Sequence, residues 1–186
     1  YQNVGSKVIM AMTLITTNAE TNATSSSFTS SIDSTYKLYV FKIINYNPNT
    51  DGTIVRFNGS TDGGSNYNVT KTSTVFVSYL NEDGSGPTLG YSAGDDLAQG
   101  TGYQNLSTAV GNGSDESASG TLWLFNPSNT TYVKHFYATL QAYNSGNFSV
   151  VNYTSGYFNT TSAIDAVDFD AASGNFDGTI KMYGVG

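Results

Sequence analysis

Apolar and polar residues alternate along most of the chain with a period of two, the mark of strands with one dry and one wet face. Val8, Met10, Met12 and Leu14 face one way, and Lys7, Ile9, Ala11, Thr13 and Ile15 the other. Tyr36 to Tyr46 reads as a long central strand, apolar on most of both faces, with Tyr39, Phe41 and Ile43 on one side and Leu38, Val40 and Ile44 on the other. The turn Pro48-Asn49-Thr50-Asp51-Gly52 follows, and with the next alternating run, Thr53 to Phe57, it predicts a hairpin. Further strands are predicted over Thr72 to Leu80, Gly120 to Phe125, Tyr132 to Tyr143, Phe148 to Phe158, Ala163 to Phe169 and Gly178 to Tyr183.

Asx- and Gly-rich turns separate these runs, as at Asn126-Pro127-Ser128-Asn129 and Asn144-Ser145-Gly146-Asn147. That spacing predicts an all-β fold, an antiparallel β-sandwich of jelly-roll type. Glu82 to Ser119 reads as a long loop excursion, and only Asp95 to Val110 offers a turn or two of helix, interrupted by Gly100 and Gly102. Residues 21–186 form one expected domain, and residues 1–20 an N-terminal strand or attachment segment. The expected core is Leu38, Val40, Ile44, Ile54, Phe57, Phe76, Leu122, Leu124, Phe136, Phe158, Ile164, Phe169 and Ile180.

Composition narrows the function classes. The 186 residues carry a net charge of −7, and only 11% are charged. Scarce Leu, Glu, Lys and Arg exclude a coiled coil, and 14 Tyr with 10 Phe exclude an ordinary disordered tail. Seven basic residues on an acidic chain argue against binding nucleic acid. No apolar run approaches the ~20 residues of a membrane-spanning helix. The absence of cysteine excludes disulfides and Cys-ligated metals, and favours a bacterial or phage origin.

The candidate chemistry is sparse. The one histidine, His135, lies in an alternating run with no nucleophile elbow in the chain, and reads as a structural strand residue. Asp95-Asp96 and Glu82-Asp83 sit in Gly-rich loop sequence, and the acids of the strand around Asp165 and Asp168 read as outward-facing, so no pair presents itself as a glycosidase dyad. Asn45, Asn47, Asn49 and Asp51 mimic the spacing of a calcium loop, but a turn explains them and no metal or other cofactor is expected. Nine Asn-x-Ser/Thr sequons exceed the chance number only modestly in so Asn-, Ser- and Thr-rich a chain. Tyr91, Tyr103, Trp123, Tyr143, Tyr153 and Tyr157 are candidates for stacking on a glycan, against the alternative that they are cross-strand partners.

Several stretches resemble virion structural proteins of tailed phages, particularly those of marine cyanobacteria. They are S-F-T-S-S-I-D-S-T-Y-K-L-Y-V-F-K-I-I-N-Y-N-P-N-T-D-G-T-I-V-R-F at Ser27 to Phe57, G-S-T-D-G-G-S-N-Y at Gly59 to Tyr67, L-F-N-P-S-N-T-T-Y-V-K-H-F at Leu124 to Phe136, S-A-I-D-A-V-D-F at Ser162 to Phe169 and G-T-I-K-M-Y-G at Gly178 to Gly184. The resemblance implies a non-enzymatic component of the virion exterior, a tail fibre, appendage or capsid decoration, contributing to attachment to the host surface. It carries no catalytic residue. The expected partners are further copies of the chain, a trimer first, other virion proteins and host surface polysaccharide. The closing strand Thr179 to Tyr183 and the N-terminal strand Lys7 to Ile15 are the expected contact elements, as strands at sheet edges. The alternative is a carbohydrate-binding module or a glycan-degrading domain.

Overall fold

The computed structural model describes residues 11–186, so the Lys7 to Met10 part of the first expected strand lies outside the described residues. The fold is all-β, with two antiparallel sheets. The twelve strands are β1 (Met12–Ala23), β2 (Ser25–Phe28), β3 (Leu38–Pro48), β4 (Val55–Ser60), β5 (Lys71–Asn81), β6 (Thr88–Tyr91), β7 (Gln104–Asn105), β8 (Ala118–Phe125), β9 (Lys134–Asn144), β10 (Phe148–Phe158), β11 (Ala166–Ala171) and β12 (Phe176–Val185). The large sheet has the order β1-β12-β3-β8-β9-β10-β5-β6, and the small sheet β2-β11-β4-β7.

The main core lies between the small sheet and the facing strands of the large one, and it is unusually aromatic. Phe28, Phe41 and Phe169 pack together, with ring centroids 5.3–6.2 Å apart, and Phe57, Phe136 and Phe158 form a second group at 5.0–5.9 Å. Tyr46 stacks on Phe176 at 4.2 Å. The larger sheet overhangs the smaller. Under the overhang a separate small cluster forms from Val75, Val77 and Val150, with Phe148 against it.

Most predicted strands are present, and three expectations are corrected. The Pro48–Gly52 turn does not close a hairpin. Gly52 takes φ +69°, its N–H donates to the Val110 carbonyl at 2.9 Å, and the chain passes from the large sheet at β3 to the small sheet at β4. The expected core has the wrong phase on β3. Tyr39, Phe41 and Ile43 are fully buried against the small sheet, while Leu38 is half-buried and Ile44 exposed on the opposite face. Lys42, in mid-strand, marks that opposite face as the wetter one. Phe76 likewise lies on the outer face and is 46% exposed, and Ile54, just before β4, is half-buried. The other nine expected core residues are buried.

The third correction concerns the sheet edges. β12 is paired on both sides, to β1 and to β3, so the closing strand is interior, and among the described residues β1 and β6 are the edges of the large sheet. β1 pairs with β12 from Met12 to Ala23, across the boundary expected at residue 20. Between β5 and β8 the chain is mostly irregular, with only the short β6 and β7 and no helical turn at 95–110.

Candidate functional site

The outer face of the large sheet is open. Nine of the eleven exposed large apolar side chains among the described residues project from it: Met12, Leu14, Ile44, Phe76, Leu80, Leu89, Tyr91, Phe125 and Tyr137. The antiparallel register sorts the face into rows. One row runs from β1 to β6 as Thr17, Lys181, Lys42, Thr121, Thr139, Tyr153, Phe76 and Tyr91. The neighbouring row carries Tyr183, Val40, Trp123 and Tyr137. Val40, although on the outer face, is only 3% exposed between those rings.

The six aromatic candidates divide. Trp123, Tyr143, Tyr153, Tyr157 and Tyr91 come together on this face, from β8, β9, β10 and β6. Many of their ring faces are already in use. Trp123 stacks on Tyr137 (5.0 Å, 25° between planes), and Tyr153 on Phe76 (4.9 Å, 18°). The Tyr157 ring meets His135 edge-on at 6.2 Å, the Tyr91 hydroxyl donates to Asp96, and the Tyr143 hydroxyl to Asn147 Oδ1 at 3.4 Å. These are cross-strand and local pairs, and together they make a rigid, ring-studded surface with hydroxyl groups between. His135 lies at one end of the face, exposed, beside a cleft of about 660 Å³ that Phe125, Asn129, Tyr132 and Thr161 also line.

Tyr103 is elsewhere. Its hydroxyl donates to Asp168 Oδ2 at 2.9 Å on the outer side of the small sheet. Asp168 also accepts from Ser27 Oγ at 2.5 Å. Two residues on, Asp170 takes both arms of Arg56, Nε to Oδ1 at 3.0 Å and Nη2 to Oδ2 at 2.7 Å. The guanidinium lies 5.4 Å from the Tyr103 ring centre. Burial pushes the Asp168 carboxyl above its usual range, and the Asp170 carboxyl too, against the pull of Arg56. The strand acids point away from the core as alternation predicts, but Asp168 is not solvent-facing: it is only 2% exposed. Loops fold over the outside of the small sheet and bury it, which alternation along one strand does not reveal. The carboxylate oxygens of Asp168 and Asp170 are engaged by Ser27, Tyr103 and Arg56, and the cluster braces β2, β4 and β11.

Two buried lysines also escaped the sequence. Lys71 Nζ donates to Asn58 Oδ1 at 2.7 Å, Gly102 O at 2.6 Å and Val69 O at 3.1 Å. Lys134 Nζ donates to the carbonyls of Tyr132 (2.8 Å) and Thr160 (3.1 Å). Each ties a strand start to irregular chain. Three of the four suspected calcium-loop residues, Asn47, Asn49 and Asp51, are engaged in the same way. Asn47 Nδ2 donates to the carbonyls of Glu116 and Gly113, Asn49 Oδ1 accepts from the Asn175 N–H, and Asp51 Oδ1 from the Asn112 N–H. Among the described residues no group of three His, Cys, Asp or Glu is placed to hold a metal. Of the sequon asparagines, Asn58 and Asn152 are buried and closed to glycosylation in the folded chain.

No family model, no curated protein and no solved structure matches the chain.

Proposed function

We propose that the protein is a non-enzymatic structural component of a phage virion exterior, as a tail fibre, appendage or capsid decoration, and that it works by surface contact. The observation that carries this reading is the open face of the large sheet, where exposed rings and aliphatic side chains gather on one rigid surface. Apolar patches of this kind mark interaction sites.

The strand order supports the same reading. β1-β12-β3-β8 faces β2-β11-β4-β7, and β1 to β4 cross in turn from one sheet to the other. We read those eight strands as a jelly roll, an architecture common in viral capsid and lectin domains. On this view the hairpins β5–β6 and β9–β10 are additions that widen one sheet to eight strands. Further copies of the chain, as a homotrimer, and other virion proteins are the assembly partners.

Gold-labelled antibody on purified particles tests the proposal, with the subunit mass of the isolated protein measured by light scattering. Many exterior copies and a trimeric mass are the expected results. Absence of the protein from purified particles overturns the reading. The second reading, a carbohydrate-binding module, draws on one specific observation: five of the six aromatic candidates share the open face.

A further inference from the structure

Charge on the open face is distributed unlike charge on the rest of the molecule. The chain has 14 acidic residues against seven basic ones. Yet the acids that reach the outer face do so only at its margins: Asp96, from the loop after β6, accepts the Tyr91 hydroxyl, Glu82 lies beside Tyr143, and Asp177, beyond the β12 irregularity, accepts the Asn22 N–H at 2.6 Å. Of the basic residues, Lys71 and Lys134 are buried on carbonyl oxygens, Arg56 is committed to Asp170, and Lys7 lies outside the described residues. Three remain, Lys37, Lys42 and Lys181. Two of those three stand directly opposite each other, Lys42 on β3 and Lys181 on β12.

Like charges at directly opposed positions of an antiparallel pair are destabilising. The Arg56–Asp170 bridge is the one ion pair among the described residues, so none of their acids is paired with these lysines. Hydroxyls flank the pair along the row, Thr17 beyond Lys181 and Thr121 beyond Lys42, and Tyr183 and Trp123 stand in the next row. Protein–protein interface cores are depleted in lysine and serine. This face keeps both, with Ser119, Ser155 and Ser78 among its rings. Lysines, hydroxyls and aromatic rings at neighbouring register positions suit a hydroxylated, anionic chain better than a protein surface.

We propose that the Lys42–Lys181 pair is the recognition point for an acidic polysaccharide, held by its sulfate or carboxylate groups while its sugar rings lie along the neighbouring aromatic row. The site rests on the reading of this face as the working surface, but not on where the protein sits in a particle. Repulsion from the acidic remainder of the molecule is screened beyond about 10 Å at 0.1 M salt, which leaves the local lysines to act.

Dextran sulfate and unmodified dextran share one backbone and make the decisive pair of probes, with polygalacturonate as the carboxylated counterpart and poly(dT) as a non-sugar polyanion. Binding is measured by isothermal titration calorimetry. The expected result is binding of dextran sulfate or polygalacturonate, with dextran at least tenfold weaker and poly(dT) weaker still. The double variant K42Q/K181Q loses at least tenfold in affinity, whereas K37Q, which removes the third lysine, does not. K42Q/K181Q melts no lower than the parent, because the change relieves a like-charge contact, so loss of binding cannot be ascribed to misfolding. The proposal is overturned if neither acidic polysaccharide binds, if dextran or poly(dT) binds as well, or if K42Q/K181Q binds like the parent. Labelling of particles by antibody alongside any of these failures would leave the virion reading standing and the face as an assembly surface alone.

Discussion

Lys71 Nζ lies 2.7 Å from Asn58 Oδ1 in a fully buried contact that joins the first residue of β5 to β4 in the opposite sheet. No carboxylate contacts this ammonium. Its partners are one amide and two backbone carbonyls, and burial outweighs them, pushing the group down to about 7. Between about pH 7 and the unfolded value near 10.5 the unfolded chain therefore binds more protons than the folded one, and stability rises with pH. Urea denaturation should show a gain on the order of 1–3 kcal/mol from pH 7 to pH 9.5. Lys71→Met should remove most of it, with a residual slope from Lys134, which burial also lowers. The window closes near pH 10, where the phenols of buried Tyr46 and half-buried Tyr103, both raised, begin to oppose the trend. A flat profile in the parent would refute the argument.

Leu122 and Phe76 separate the two faces of the large sheet. Leu122 is fully buried, whereas Phe76 is 46% exposed and stacks on Tyr153. Leu122→Asp places an unpaired carboxylate in the core and should abolish soluble folded protein. Phe76→Asp should fold, at a cost of roughly 0.5–1.5 kcal/mol for the lost stack. Circular dichroism melts of the two variants check this, and equal behaviour would contradict the assignment of faces.

The strands were legible where alternation was clean. β10 runs from Phe148 to Phe158, the range that its alternation predicts, and the Asn144–Asn147 turn before it closes with Asn147 at φ +62°. β3 was legible as a strand but not in phase, because both of its faces are apolar and only Lys42 tells them apart. The supposed hairpin after it failed because turn chemistry specifies a reversal but not whether the chain returns to the same sheet. Five of the six aromatic candidates share one face because side chains of common parity on neighbouring strands must do so. Tyr103 was beyond reach, since it lies in irregular chain and its place depends on Asp168, 65 residues away.

Trp123 and Tyr137 stand opposite each other on β8 and β9 with their rings stacked. Both contribute to a solvent-facing surface, so single replacements by Leu should leave the fold intact. A double-mutant cycle in urea should give a coupling of about 0.5–1.5 kcal/mol, the value of an aromatic pair beyond its buried area. Coupling near zero would mean that the rings share a face without stabilising each other.

Arg56 is the only cation bonded to Asp170, and Asp168 adds a second carboxyl on the same side of β11. Burial already raises the Asp170 carboxyl, and the guanidinium works against that rise. Arg56→Ala removes the opposing charge, so the carboxyl rises further and the folded state binds more protons than the unfolded chain over a wider range above the unfolded value near 3.8. A group raised in this way contributes stability at low pH that is lost as pH increases through the window. The cost of Arg56→Ala should therefore be small near pH 4 and reach about 1–3 kcal/mol at pH 7, where the half-buried carboxylate stands without its partner. Asp170→Asn in the Arg56→Ala background removes the titrating group and should abolish the extra pH dependence. Urea denaturation of both variants at pH 4 and pH 7 measures the difference, and a cost independent of pH would show that Arg56 acts through packing on Tyr103 rather than through charge.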